Sequence, residues 1–321
     1  MGWGDGTEAD GAKGRGAGMR TIAMVNQKGG CGKTTSAINT AAALAELGQR
    51  VLLIDLDPQA HATIGLGYDS NAFERTIYDV VTQPGVLLSD VVVHTGFHDL
   101  DLAPCNVLLA SAEIELAGTP GKELLLGQGL QKVRDDYDLC VIDCPPSLGI
   151  LTLNALVSST GVIVPVQVHY YALEGLKRLL ETIRIIRQRF HPYSMENIRL
   201  LLTFVEERTT FSRQIQQQMR EIFGELVFDA VIHRNIRLAE APSAGDPILT
   251  YAPQSKGALD YRALAAEILE THPSAEEPAV ERMRRGIQKH LTTIFEGVWI
   301  PKRQQPAKAL NRVLAGSIES T

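Results

Sequence analysis

Short runs of consecutive apolar residues recur along the chain, separated by longer stretches with helical spacing. Residues 21–25, 51–54, 139–142, 161–166 and 198–204 are nearly all apolar, with little polar alternation. Such runs read as strands buried on both faces, the signature of a parallel sheet covered by helices. Between them lie helical stretches at 33–47, 173–190 and 211–223, the first rich in Ala and Thr and closed by Gly48. Strand, Gly-rich turn, helix and strand in that order make a βαβ unit with a right-handed crossover. Repetition of the unit predicts an α/β fold, a doubly wound, mostly parallel sheet flanked by helices, over residues 19–271.

The ends read differently. Residues 1–18 hold seven glycines and few apolar positions, which predicts a flexible leader. Met19, just before the first strand, is a candidate true start. Residues 272–321 form a C-terminal extension. In it Val280, Met283, Ile287, Leu291 and Ile294 predict an amphipathic helix at about 278–295, followed by a basic tail around Lys302 and Arg303.

The chain has 321 residues, 45% hydrophobic and 21% charged, enough for a normal core and incompatible with wholesale disorder. No apolar run reaches membrane-spanning length and no signal peptide opens the chain, so a cytoplasmic protein is expected. Cys31, Cys105, Cys140 and Cys144 make no CxxC pair, which predicts reduced, packed thiols and no cluster or redox centre. The formal net charge of −6 argues at first against nucleic acid as a partner.

The first chemical signal is Lys28-Gly29-Gly30-Cys31-Gly32-Lys33-Thr34-Thr35, between a strand and a helix. The glycines let backbone N–H groups turn inward, and the helix start adds its partial positive charge. Lys33 supplies a point charge for β- and γ-phosphates, and the Thr34 hydroxyl is a Mg²⁺ ligand. The pattern departs from GxxxxGK[ST], because Gln27 stands where the first glycine belongs, and it carries the additional Lys28. Asp55, Asp57 and Asp143 follow apolar strands, at the ends where ligands gather in such sheets. Asp143 suits Mg²⁺, directly or through water, and Asp57 suits orienting an attacking water. Asp55 either caps its loop or acts directly.

Taken together, these residues resemble the deviant Walker A signature of ParA/Soj partition ATPases, a class of P-loop NTPase. The likeness runs from Asn26 to Thr35, through Asp55-Leu56-Asp57-Pro58-Gln59 and Asp143-Cys144-Pro145-Pro146-Ser147. It continues at Val164–Gln167, Tyr170–Gly175 and Arg234–Ser243, so it spans about residues 20–270. The resemblance implies ATP and Mg²⁺ as ligands, cradled by Gly29, Gly30, Cys31, Gly32, Lys33, Thr34 and Thr35. Lys28 matches the signature lysine that reaches the partner's phosphates in an ATP-bound homodimer. Lys33, Thr34, Asp57 and Asp143 match the phosphate lysine, the Mg²⁺ ligand, the water-positioning residue and the Walker B aspartate. Arg234 and Asn235 fall in the stretch that lines the adenine. Arg208 and Arg237 match arginines that bind DNA without sequence preference, and a ParB-type protein is the expected stimulating partner. Three positions depart from the family: His233 replaces Pro, His169 replaces Glu, and Ala60-His61 replaces Gly-Asn.

Counting charge by segment reopens the DNA question. Residues 19–173 hold 8 basic and 16 acidic side chains, residues 177–237 hold 11 and 7, and residues 271–321 hold 8 and 5. Phosphate contacts need local positive charge, whatever the total. The expectation is therefore a cytoplasmic, nucleoid-associated ATPase that serves chromosome or plasmid segregation. The alternatives are ParA-like positioning of a protein cargo, or a MinD-like ATPase that meets a membrane surface through the helix at 278–295 with Arg282, Arg284, Arg285 and Lys289.

Overall fold

The computed structural model describes residues 18–168, 172–190 and 197–270. The leader, His169 and the Tyr170-Tyr171 pair, and the extension with its helix at 278–295 lie outside the described residues. Among the described residues eight strands form one sheet: β1 (Arg20–Met24), β2 (Val51–Asp55), β3 (Val93–His94), β4 (Leu100–Ala103), β5 (Leu139–Asp143), β6 (Gly161–Gln167), β7 (Asn197–Val205) and β8 (Ile232–His233). Their order is β3-β4-β2-β5-β1-β6-β7-β8, with every neighbouring pair parallel except β3 with β4. The five runs expected to be strands are strands, within a residue or two at each end. β3, β4 and β8 were not expected. Two of them are only two residues long, and Leu-Asp-Leu-Ala in β4 is too short and mixed to stand out.

Alternation along each strand divides the core in two. Ile22, Met24, Val51, Leu53 and Val141 face one side, with Ala37, Ala41 and Leu44 of α1 (Lys33–Glu46) and Tyr261 and Leu264 of the helix Lys256–Glu270. Ala23, Leu52, Ile54 and Ile142 face the other, against the helices Leu125–Lys132, Ile150–Ser158, Ala172–Phe190 and Thr210–Phe223. The alanines explain why α1 shows no strong amphipathic stripe. Small side chains let a helix at the centre of the layer approach its neighbours on several sides, and Ala37, Ala41, Ala42 and Ala43 are fully buried. A buried hydrogen bond of 3.1 Å between Ser36 Oγ and Tyr261 Oη ties α1 to the helix Lys256–Glu270.

β1 sits between β5 and β6, and β5 between β1 and β2. The carboxyl ends of β1, β2 and β5 therefore open side by side. In register, Met24 of β1 and Asp55 of β2 both pair with Asp143 of β5. This places the loop after β1 next to the two carboxylates.

Candidate nucleotide site

The loop between β1 and α1 is held from outside itself. Asn26 Nδ2 donates to the Pro165 carbonyl at 2.7 Å, and Asn26 Oδ1 accepts the Lys28 N–H at 3.0 Å. Thr203 Oγ1 donates to the Cys31 carbonyl at 2.9 Å. Gly30 and Gly32 adopt φ of 70° and 90°, which a side chain would resist, so glycine is required to turn the chain into the helix. Gly32 at the cap of α1 supplies no side-chain acceptor. The first-turn N–H groups of α1 are thereby left for a ligand, and the helix dipole favours an anion there.

Lys33 is buried, with Nζ 3.4 Å from the Lys28 carbonyl. Lys28 is exposed, and its ammonium donates to Gln167 Oε1 at 3.0 Å, at the end of β6. Thr34 and Thr35 begin α1 and line a cleft with Asn39 and His61.

Asp143 is fully buried, and neither carboxylate oxygen has a hydrogen-bond partner. Burial and the neighbouring Asp55 push its pKa well up, while the nearby Thr34 hydroxyl and Lys33 work the other way. Buried polar groups without partners are rare and costly, so a group that supplies the missing interaction is implied. A divalent cation and its waters fit this need, and Thr34 is the adjacent hydroxyl.

Asp55 is different. Its Oδ2 accepts from Thr63 N at 2.8 Å and Thr63 Oγ1 at 2.7 Å, and its Oδ1 accepts the Asp57 N–H at 3.3 Å. Burial raises its pKa to about 6, opposed by these bonds. Asp55 therefore clamps the loop that carries Asp57 and the short helix α2 (His61–Gly65). These contacts fit the loop-capping role of the two named for it. Asp57 is also buried, and its Oδ1 accepts the Gln59 N–H at 3.0 Å. The four cysteines are free and buried, and burial raises the pKa of each thiol, so they are packing residues.

A second cleft of about 360 Å³ leads away from Gly32 and Thr35, past Phe204, to Arg234 and Asn235. Arg234 Nη1 pairs with Glu206 Oε1 at 2.8 Å. Asn235 caps the helix Ile236–Ala244 by accepting the Arg237 N–H at 2.9 Å. The departure at His233 has a structural consequence. Its backbone N–H donates to Asp260 Oδ2 at 2.8 Å, which proline could not do, and its ring lies 2.9 Å from Asp260 and 2.7 Å from Glu207.

Arg208 and Arg237 are exposed on the segments that follow β7 and β8, which are neighbours in the sheet. They do not line the nucleotide clefts. Arg208 and Arg213 carry no ion pair among the described residues, whereas Arg237 Nη1 pairs with Glu240 Oε2 at 2.8 Å. The segment charge overstated the surface here. Arg199 lies inward, paired with Glu267 and stacked on Phe228 at 4.1 Å. Sequence reasoning also missed Thr63, Thr203 and Phe204. Only a threonine or an aromatic residue just beyond a charged loop or strand end hinted at them.

Residues 19–200 match the AAA_31 family, an AAA domain. The chain is 45% identical over 250 residues to the sporulation initiation inhibitor protein Soj of Bacillus subtilis, covering 78% of this chain and 98% of that one. It is 48% identical over 255 residues to the chromosome-partitioning ATPase Soj of Thermus thermophilus, covering 78% and 96%. Among solved structures, a cobyrinic acid a,c-diamide synthase from Mycobacterium smegmatis with bound ATP analog and magnesium is similar at a TM-score of 0.70 and 35% identity, covering 81% of this chain and 98% of that one.

Proposed function

The chain belongs to the ParA/Soj family, and from that premise we propose that it is a Mg²⁺-dependent ATPase that partitions DNA. The observation that carries this reading is the buried, unpartnered Asp143 carboxylate beside an uncapped, Gly-rich helix start. The partition reading is preferred to the diamide synthase activity named for the structural neighbour, because the relatives named for partition are more similar in sequence.

In this reading the N–H groups from Gly29 to Thr35 surround the β- and γ-phosphates, and Lys33 neutralises part of their charge. Thr34 would hold Mg²⁺ directly and Asp143 would hold it through water. When bound, the ion offsets charge on the phosphate oxygens as the γ-phosphoryl group is transferred. Asp57 keeps one oxygen on the Gln59 N–H and uses the other to orient the attacking water. The water oxygen bonds to the γ-phosphorus as the bridging P–O bond breaks, giving ADP, inorganic phosphate and a released proton. Lys28 exchanges Gln167 for the phosphates of a second copy, closing an ATP-bound homodimer. Arg208 and Arg237 of both copies then meet DNA phosphates without reading bases. A ParB-type partner speeds hydrolysis and release, and the work is done in the cytoplasm on the nucleoid. Among the described residues no helix is long and apolar enough to cross a membrane.

The test is phosphate release with Mg²⁺-ATP, paired with DNA binding measured by anisotropy under ATP, ADP and no nucleotide. DNA binding is expected only with ATP. Asp57→Ala should bind ATP and stay on DNA without turnover, and Arg237→Glu should lose DNA while keeping ATP. Equal DNA binding in all three nucleotide states would overturn the partition cycle.

A further inference from the structure

Phe204 stands out from the strand that carries it. Its neighbours Thr203 and Val205 are buried, whereas Phe204 is 39% exposed. Its φ is 56°, in the left-handed region that bulky L side chains avoid. The pairing of β7 with β8 slips at this point, from Thr203 opposite Ile232 to Val205 opposite His233, so Phe204 is the extra residue of a bulge. Bulges beside functional sites re-aim a side chain, and a strained residue persists only where its surroundings impose it.

The ring is aimed at the cleft that begins at the phosphate loop. Phe204 Cε2 lies 3.6 Å from the position a Cβ on Gly32 would take. Phe204 and Gly32 line that cleft together with Thr35, Arg234 and Asn235. The cleft therefore has phosphate-binding backbone at one end and an exposed aromatic face next to it. Asn235 has committed its Oδ1 to the Arg237 N–H, which leaves its amide as a hydrogen-bond donor. An aromatic face with a polar amide nearby is the chemistry that holds a heterocyclic base.

We propose that Phe204 is the platform on which the base of the bound nucleoside triphosphate stacks, and that it makes this site prefer a purine. The proposal rests on the ATPase reading above and adds the residue that discriminates among nucleotides. Stacking strength grows with ring area, so a two-ring base gains more from the platform than a one-ring base.

The experiment uses the full chain with Mg²⁺ and measures affinity for ATP, CTP and inorganic tripolyphosphate by calorimetry. Phe204→Leu should weaken ATP about tenfold, weaken CTP less, and leave tripolyphosphate within about twofold. Phe204→Tyr should bind ATP like the parent. Phe204→Gly relaxes the backbone, so it should lose ATP affinity while its melting temperature holds or rises. Parental ATP affinity in Phe204→Leu would overturn the proposal. An equal loss for ATP and tripolyphosphate would overturn it too, by making Phe204 a prop of the phosphate loop. A parent chain that binds tripolyphosphate and no nucleotide would overturn the ATPase reading, and this proposal with it.

Discussion

At the residue scale, Ala60 shows how a departure from the family is tolerated. It caps α2 with φ 53° and ψ 30°, a conformation that suits the glycine usual there. The left-handed backbone costs an alanine about 1–2 kcal/mol. Against that, glycine would give up roughly 0.5–1 kcal/mol of chain entropy and about 0.8 kcal/mol of methyl burial. The opposing effects nearly cancel, so Ala60→Gly should change unfolding free energy by less than about 1 kcal/mol in urea denaturation. Ala60→Val, branched at Cβ in the same conformation, should lose about 2 kcal/mol or more. Asp143 presents the opposite case, a residue kept at a cost to stability. Replacing its buried, unpartnered carboxylate removes both desolvation and repulsion with Asp55. Asp143→Asn should therefore melt higher than the parent without nucleotide, yet lose Mg²⁺-dependent phosphate release. A lower melting temperature would mean that the carboxylate has a partner in solution.

At the element scale, α2 and the turn after it are closely packed, by a side chain at Gly65 and by backbone at Gly67. A Cβ on Gly65 would come within 2.8 Å of Ile38 Cδ1 on α1, and one on Gly245 within 2.6 Å of the Gly67 Cα. Gly67 and Gly245 also have φ of 83° and 74°. The segment that carries Asp57 is thus braced against α1 and against the end of the helix Ile236–Ala244. Gly245→Ala meets backbone, which cannot swing aside, so it should cost about 1–3 kcal/mol in chemical denaturation. It should also slow turnover, because Asp57 is carried on the braced segment. The five long strands and the phosphate loop were legible because their signals are local: apolar runs, glycines and a lysine in fixed order. The braces were not. Gly65 and Gly245 read as ordinary loop or helix-end glycines until Ile38 and Gly67 are placed beside them. Likewise, nothing in Asp55-Leu56-Asp57 tells which carboxylate accepts from Thr63 and which from the Gln59 N–H. β8 and the bulge at Phe204 depend on pairing across the sheet, which no run of residues encodes.

At the scale of the whole molecule, charge is divided along the chain, and Arg208, Arg213 and Arg237 are exposed on the segments after β7 and β8. In the DNA complex proposed above, two arginines per copy of a dimer would make about four phosphate contacts. The logarithm of DNA affinity should then fall against the logarithm of salt concentration with a slope of about −3.6. Arg237 is held by Glu240, which also accepts from Tyr251 Oη at 3.2 Å. Glu240→Gln should free that charge and tighten DNA binding a few-fold at low salt in anisotropy titrations, and the gain should vanish in the background of Arg237→Ala. The strand order carries a further meaning for biosynthesis. β1 pairs only with β5 and β6, and β2 meets β1 only through β5. A nascent chain that has emerged as far as residue 138 holds the whole glycine-rich loop but no strand to lay beside β1. The nucleotide pocket is therefore assembled late, by insertion of β5 between two strands that left the ribosome long before it. Such distant parallel pairing folds slowly, and the exposed edge of β1 is where chaperones should find this chain during translation.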